Sequence, residues 1–503
     1  MKQKKKEERE KRRRSKTIMD AVKITILIPF LGVLVSVFLR SIWVGVIFSF
    51  LTFVSSLFIE TGYQGEINLA EKLGLTLSLQ VDGLNILLIW LTTGLTFLVF
   101  LYGIVEKRER KDEYTFLFLL LEALLLPAFT TKNLLAFYFF FDAILIPMFF
   151  IIGIWGTGNK VYAAYKFVLF TFFGSIFFLV SVVFLAKEFY ATQGKISFEL
   201  EDLISVSQNL SGSAKILLFL GFFVAFAVKM PLVPVHVWLP DAHTEAPTGG
   251  SVILAGILLK LGSYAFLRFA VPIFPDIIKE YWFLISLIGV LGIVFGAILA
   301  LSQEDMKRLI AYSSVSHMGY VMLGSVAMAQ GKITYEGLQG AILQMINHAI
   351  ATGGLFFVVG MIYERTHTRM IKDYSGIAKK VPFLTFFFFT FALSSIGFPS
   401  TGGFVGELLV IIGAIKASKI IGIITASGAI LSAGYILYLA LRVFFGPEKH
   451  SEKLKHIEDI NKVEFFVLLC LAIFVFAIGI YPKPFMEIIK GGIDFVWSKL
   501  QIQ

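Results

Sequence analysis

The feature that most constrains this chain is a succession of apolar runs, each near the roughly 20 residues that an α-helix needs to cross the hydrocarbon core of a bilayer. They fall at 22–39, 42–59, 84–104, 116–130, 134–155, 167–185, 216–237, 250–271, 282–301, 309–328, 338–363, 382–415, 420–445 and 465–480. In hydrocarbon every backbone N–H and C=O must find a partner within the protein, so runs of this length form helices. The expectation is an all-α integral membrane protein of about fourteen transmembrane helices. Residues 19–503 form one transmembrane domain, and residues 1–18 are a basic tail outside the fold. Composition agrees, because only 16% of residues are charged, against roughly 25% in soluble domains.

Several function classes are excluded. The only cysteine, Cys470, sits in FFVLLCLAIFVF and reads as a small hydrophobe at lipid depth. Thiolate-ligated iron–sulfur clusters, disulfide frameworks and Cys-based zinc sites therefore have no ligands within the chain. No glycine-rich phosphate loop follows a strand, so nucleotide and flavin binding have no foothold. Any redox chemistry must belong to partners, and no cofactor is expected in this chain. His236 and His243 lack a third-ligand pattern for a metal and read as hydrated loop histidines.

The segment MKQKKKEEREKRRRSK sets ten Lys and Arg residues against Glu7, Glu8 and Glu10, so it carries seven of the ten net positive charges of the chain. Beside so much membrane, anionic lipid is the expected partner of such a run, not nucleic acid. Basic loops orient the bundle. Lys107, Arg108, Arg110 and Lys111, then Lys307 and Arg308, then Arg365, Arg369, Lys372, Lys379 and Lys380, then Lys449, Lys453, Lys455 and Lys462 share one face. If that face is cytoplasmic, an even helix count puts both termini outside, in conflict with the basic tail. The agreement of several loops outweighs the tail, and Met19 is the expected natural start.

An ionisable side chain at mid-bilayer costs about 2.5–3.5 kcal/mol on insertion scales, so such residues mark pathways or fix helix register. Glu122 lies in LLLEALLLP, Asp142 in FYFFFDAILIPMFF, Lys229 in FVAFAVKMPLVP, Lys260 in ILAGILLKLGSYAF, His317 in YSSVSHMGYVM, His348 in ILQMINHAIATGG and Glu407 in GGFVGELLVIIG. Spread over different helices, this alternation of acid, base and imidazole suits a proton route. Two helices are also interrupted. Pro231 and Pro234 follow Lys229, and Pro399, Gly402 and Gly403 precede Glu407. Paired broken helices in the two halves of a membrane chain point to a transport site and to inverted repeats, although no strict sequence repeat accompanies them.

The segment VPVHVWLPDAHTEAPTGGSVILAGILLKLGSYAFLRF closely resembles the signature of the antiporter-like subunits of proton-pumping NADH:quinone oxidoreductase, complex I. FDAILIPMFFIIGIWG, SQEDMKRLIAYSSVSHMGY, NHAIATGGLFFVVGMIYERTHTR and GFPSTGGFVGE extend the resemblance over 81–445. Within that group the chain is most similar to the M-type, or chain 4, because Glu407 stands where sister subunits generally carry lysine. The resemblance implies a row at mid-membrane in which Asp142 pairs with Lys229, Lys260 connects onward with His317 and His348, and Glu407 hands the proton to the exit side. The family usually has glutamate where this chain has Asp142. It further implies sister antiporter-like chains as partners, with NADH, flavin, iron–sulfur clusters and quinone held by other subunits of the complex. The site would be a bacterial or archaeal-type inner (cell) membrane. The alternative is a subunit of a multisubunit sodium/proton antiporter or of a membrane-bound hydrogenase, which share this fold.

Overall fold

A computed structural model describes residues 2–70, 75–106, 108–448, 454 and 457–501. Lys107, Lys449, Lys453 and Lys455, assigned above to the basic face, lie outside the described residues. Helices dominate, and the apolar runs fall on them, with those at 216–237 and 382–415 interrupted. Among the described residues eleven helices are long and apolar enough to span a bilayer, and Ile42–Ser56 and Pro382–Ser395 are shorter apolar helices. The protein is thus a multi-pass integral membrane protein.

In chain order the helices used below are α1 (Lys2–Leu39), α2 (Ile42–Ser56), α3 (Ile86–Val105), α4 (Lys111–Thr130), α5 (Leu134–Trp155), α6 (Lys160–Gln193), α7 (Gly212–Lys229), α8 (Thr248–Ile273), α9 (Pro275–Leu301), α10 (Met306–Val326), α11 (Tyr335–Thr366), α12 (Pro382–Ser395), α13 (Gly402–Ala417), α14 (Lys419–Val443), α15 (Lys462–Ile480) and α16 (Lys483–Gln501). The apolar cores of α8 and α11 are wholly buried, so these two helices form the centre of the bundle. Around them α6, α9 and α14 turn half or more of their apolar surface outward. Phe173, Leu284 and Ile430 are exposed there, as a lipid-facing surface requires.

Both expected interruptions are present. Helix α7 stops at Lys229, the chain turns through 230–238, and a short helix Leu239–Glu245 precedes α8. The break frees the Val228 carbonyl, which accepts the Trp238 indole N–H at 2.9 Å. The run expected at 382–415 divides into α12 and α13. Its turn needs glycine twice: Gly397 has φ +67°, and a Cβ on Gly403 would collide with the Ser394 carbonyl. A free carbonyl here, that of Gly402, accepts the Asn347 amide at 2.6 Å.

Three elements depart from the expectations. An antiparallel hairpin, β1 (Tyr63–Ala70) and β2 (Leu75–Val81), pairs Tyr63 with Val81 and carries an irregularity between Asn68 and Ala70. Helix α8 contains π-helical turns at Leu254–Leu258 and Phe266–Ala270. Helix α16 follows the last apolar run and buries Ile489, Ile493, Val496 and Leu500 at three- and four-residue spacing.

Candidate proton-transfer row

The breaks end helices inside the bundle and bring their charged residues to its middle. Lys229, the last residue of α7, is buried, and its Nζ donates to the Phe141 carbonyl at 3.2 Å while lying 4.5 Å from the Phe141 ring centre. Asp142 is the next residue along α5. Its Oδ2 accepts the Ser175 hydroxyl at 2.6 Å, and its Oδ1 has no hydrogen-bond partner. Asp142 and Lys229 act on each other electrostatically, yet among the described residues they form no direct ion pair. The short aspartate leaves a gap that a bridging water suits.

The backbone of α7 meets α8 at Gly262, where a Cβ would stand 2.9 Å from the Lys229 Cβ and from the Phe226 carbonyl. Glycine permits that contact, and Lys260 lies two residues before it. The π turn Leu254–Leu258 widens α8 just before Lys260, whose Nζ donates to the Ala255 carbonyl at 2.5 Å. The same Nζ is 2.5 Å from His348 Nδ1 on α11.

From His348 the row continues without leaving the protein interior. The His348 and His317 rings are 5.4 Å apart, and both line a small cavity with Gln344, Asn347, Thr352 and Ser395 that has room for about one water. Among the described residues His348 Nε2 and Thr352 Oγ1 have no hydrogen-bond partner. His317 Nε2 faces the Ser395 hydroxyl at 3.1 Å, and His317 Nδ1 is 3.2 Å from Glu407 Oε1. The Gln344 amide donates to the same Glu407 oxygen at 3.1 Å.

The structure therefore brings Lys260, His348, His317 and Glu407 into one contiguous series, with Lys229 and Asp142 at its other end. Glu122 is not joined to them. It is buried in α4 with both carboxylate oxygens lacking a hydrogen-bond partner. The hydrated-loop reading is corrected by His236, which is buried with Nδ1 lacking a partner among the described residues, and by His243. His243 is fully buried, stacked at 4.8 Å on Phe356, and both ring nitrogens lack partners. Burial follows from the return of the broken segment against α11, which a local reading of the loop does not reveal. Among the described residues no group of three His, Cys, Asp or Glu side chains could hold a metal ion.

Sequence reading missed Gln344, Asn347, Ser175 and Ser395. Gln344, His348 and Thr352 recur every four residues and share a face of α11, so that face was available as a signal. Ser395 ends the helix that leads into the second break, whereas Ser175 reaches the row from a helix whose sequence around it is unremarkable.

Comparison with known proteins shows the family and the fold. The family model described as NADH:quinone oxidoreductase/Mrp antiporter, TM, matches residues 131–432. NADH-quinone oxidoreductase subunit M of Rickettsia prowazekii (strain Madrid E) is 40% identical over 491 residues, covering 94% of this chain and 98% of that one. The subunit M of Rhodobacter capsulatus is 42% identical over 459 residues, covering 89% and 88%. A chain of respiratory complex I from Thermus thermophilus superposes with a TM-score of 0.86 at 31% identity, covering 95% of this chain and 99% of that chain. The matched span contains Asp142, Lys229, Lys260, His317, His348 and Glu407, and the chain belongs to the subunit M family of antiporter-like NADH:quinone oxidoreductase subunits.

Proposed function

We propose that the chain translocates protons as a membrane subunit of respiratory NADH:quinone oxidoreductase, using Asp142, Lys229, Lys260, His348, His317 and Glu407 as the pathway. The observation that carries this reading is the buried series from Lys260 Nζ to Glu407 Oε1, whose one gap, between His348 and His317, is a cavity with room for about one water. A bundle held together by apolar packing gains nothing from inserting four such groups side by side, each costly at that depth. NADH oxidation and quinone reduction belong to partner subunits, as the relatives' name, NADH-quinone oxidoreductase subunit M, suggests, and the flavin and iron–sulfur clusters belong with them. Sister antiporter-like chains are the expected membrane neighbours.

The steps follow from the contacts. The Lys260 ammonium gives a proton to His348 Nδ1, and the imidazole releases the proton on Nε2 toward the cavity, so the ring returns to neutrality. A water in that cavity carries the proton to His317, which passes it to the Glu407 carboxylate. Asp142 controls the other end. While it is ionised, it favours the charged form of Lys229; once it is neutralised, the buried ammonium loses its compensation and releases its proton toward Lys260.

The test is the proton-to-electron ratio of the assembled complex in proteoliposomes. Lys260→Ala should abolish most pumping while electron input to artificial acceptors persists. An unchanged ratio would remove Lys260 from the pathway.

A further inference from the structure

Outside the row, the least expected buried charge is Arg268, in the second π turn of α8. It is 1% exposed, and its Nη2 donates to Asp82 Oδ1 at 2.6 Å. Nε and Nη1 have no hydrogen-bond partner, and the guanidinium lies over the rings of Tyr264 and Phe495 at 5.5 and 5.1 Å. Two aromatic faces attract a cation but do not neutralise it. Asp82 is therefore the carboxylate compensating a full positive charge inside the bundle.

Asp82 is built for that position. It lies between β2 and α3, where its Oδ1 also accepts the Leu84 amide at 2.9 Å and its Oδ2 accepts from Gln80 at 2.8 Å. The Asn85 side chain accepts the Asp82 backbone N–H at 2.8 Å and donates to the Gln80 and Phe129 carbonyls. Burial would push the carboxyl up, but the Arg268 guanidinium holds it below the usual carboxylate range. The pair ties the hairpin, α8 and α16 together at one end of the bundle.

Lys260 and Arg268 share α8, eight residues apart, which is about 12 Å along a helix axis. We propose that Asp82 is a positioning residue for the proton on Lys260: by neutralising Arg268 it prevents that guanidinium from repelling the charged form of the row lysine. This rests on the proposed role of Lys260. At about 12 Å and an effective dielectric constant near 20, an uncompensated charge changes proton affinity about tenfold, or one pH unit. The other titratable groups acting on Lys260 are His348 by contact and His243 by field; Lys229 and His317 lie on the neighbouring α7 and α10. Tyr264 is the further titratable group acting on Arg268. Of these groups, Tyr264 also feels Asp82 directly.

The experiment measures pumping against pH in proteoliposomes of the assembled complex. Asp82→Asn should move the alkaline limb toward neutral pH by up to about one unit. The double variant Asp82→Asn/Arg268→Gln removes both charges and should return the limb to its original position, whereas a merely structural pair would leave the double variant as impaired as the single. Asp82→Glu keeps the charge and should keep the limb. In a Lys260→Gln background, pumping should be lost whatever stands at position 82. An assembled Asp82→Asn complex with an unmoved limb, or a double variant shifted as far as the single, overturns the proposal. Failure of both neutral variants to assemble while Asp82→Glu assembles also overturns it, by reducing the pair to a fold clamp. If instead Lys260→Gln alone pumps normally, it is the proton-row reading that falls.

Discussion

His317 Nδ1 and Glu407 Oε1 stand 3.2 Å apart, one on α10 and the other on the second half of a broken helix, with the Gln344 amide donating to the same carboxylate oxygen. A histidine and a carboxylate at hydrogen-bond distance can exchange a proton without separating charge over any distance.

Glu407→Gln keeps the size and hydrogen-bonding capacity of the site but not its ability to gain and lose a proton. Pumping should fall about a hundredfold or more, with assembly intact on native gels. Restoration by Glu407→Lys would show that the site needs only an ionisable group. Normal pumping by Glu407→Gln would take this carboxylate out of the route.

At the other end, Lys229→Ala removes the cation seated on the Phe141 carbonyl. Quinone reduction coupled to pumping should drop about tenfold or more, while NADH oxidation with an artificial acceptor stays near its usual rate. The two assays on one membrane preparation separate loss of coupling from loss of the complex.

For Asp142 the informative comparison is between charge and size. Asp142→Asn keeps a polar side chain but removes the charge that acts on Lys229, and it should damage pumping strongly. Asp142→Glu keeps the charge, and because Oδ1 has no partner and the residue is only half-buried, the added methylene should be accommodated with most activity retained. If the two variants fail equally at equal assembly, charge is not what this position supplies.

Gly403 offers a test of the break itself. A methyl group there meets the Ser394 carbonyl, which belongs to the backbone and cannot swing aside. Gly403→Ala should cost about 1–3 kcal/mol and appear as lower thermal stability and yield of the complex. Gly434→Ala, at a glycine with open space around the built Cβ, should leave both unchanged.

The apolar runs made the helices legible because membrane length and backbone satisfaction leave few alternatives, and prolines after Lys229 marked the first break correctly. Boundaries drifted where polar residues continue a helix past the apolar stretch, as at Lys160–Gln193. The hairpin went unread although Leu75, Leu77, Leu79 and Val81 alternate, since a short strand pair between membrane helices has little competing signal. Lys483–Gln501 was hidden by its charges, which dilute average hydropathy but leave its buried stripe intact. For the row, single ionisable residues in apolar sequence stood out by their cost. Their order in space came from the family resemblance and not from the residues themselves, and neither source revealed the isolation of Glu122 or the burial of His243, because these depend on which helices pack together.

The backbone contact between Gly83 and Gly492 has a further consequence, for synthesis. A Cβ on either glycine would run into the other's segment, at the Ile488 carbonyl or the Leu84 amide, so the start of α3 is closed by a segment that leaves the ribosome only after the helices from α3 to α15. Phe495, which lies over Arg268, arrives with them. Chains emerge from their N-terminus and early elements settle first, yet this corner must wait, open, until α16 has been made. A chain cut short before α16 would keep its apolar spans and still lack the piece that seals the end of the bundle.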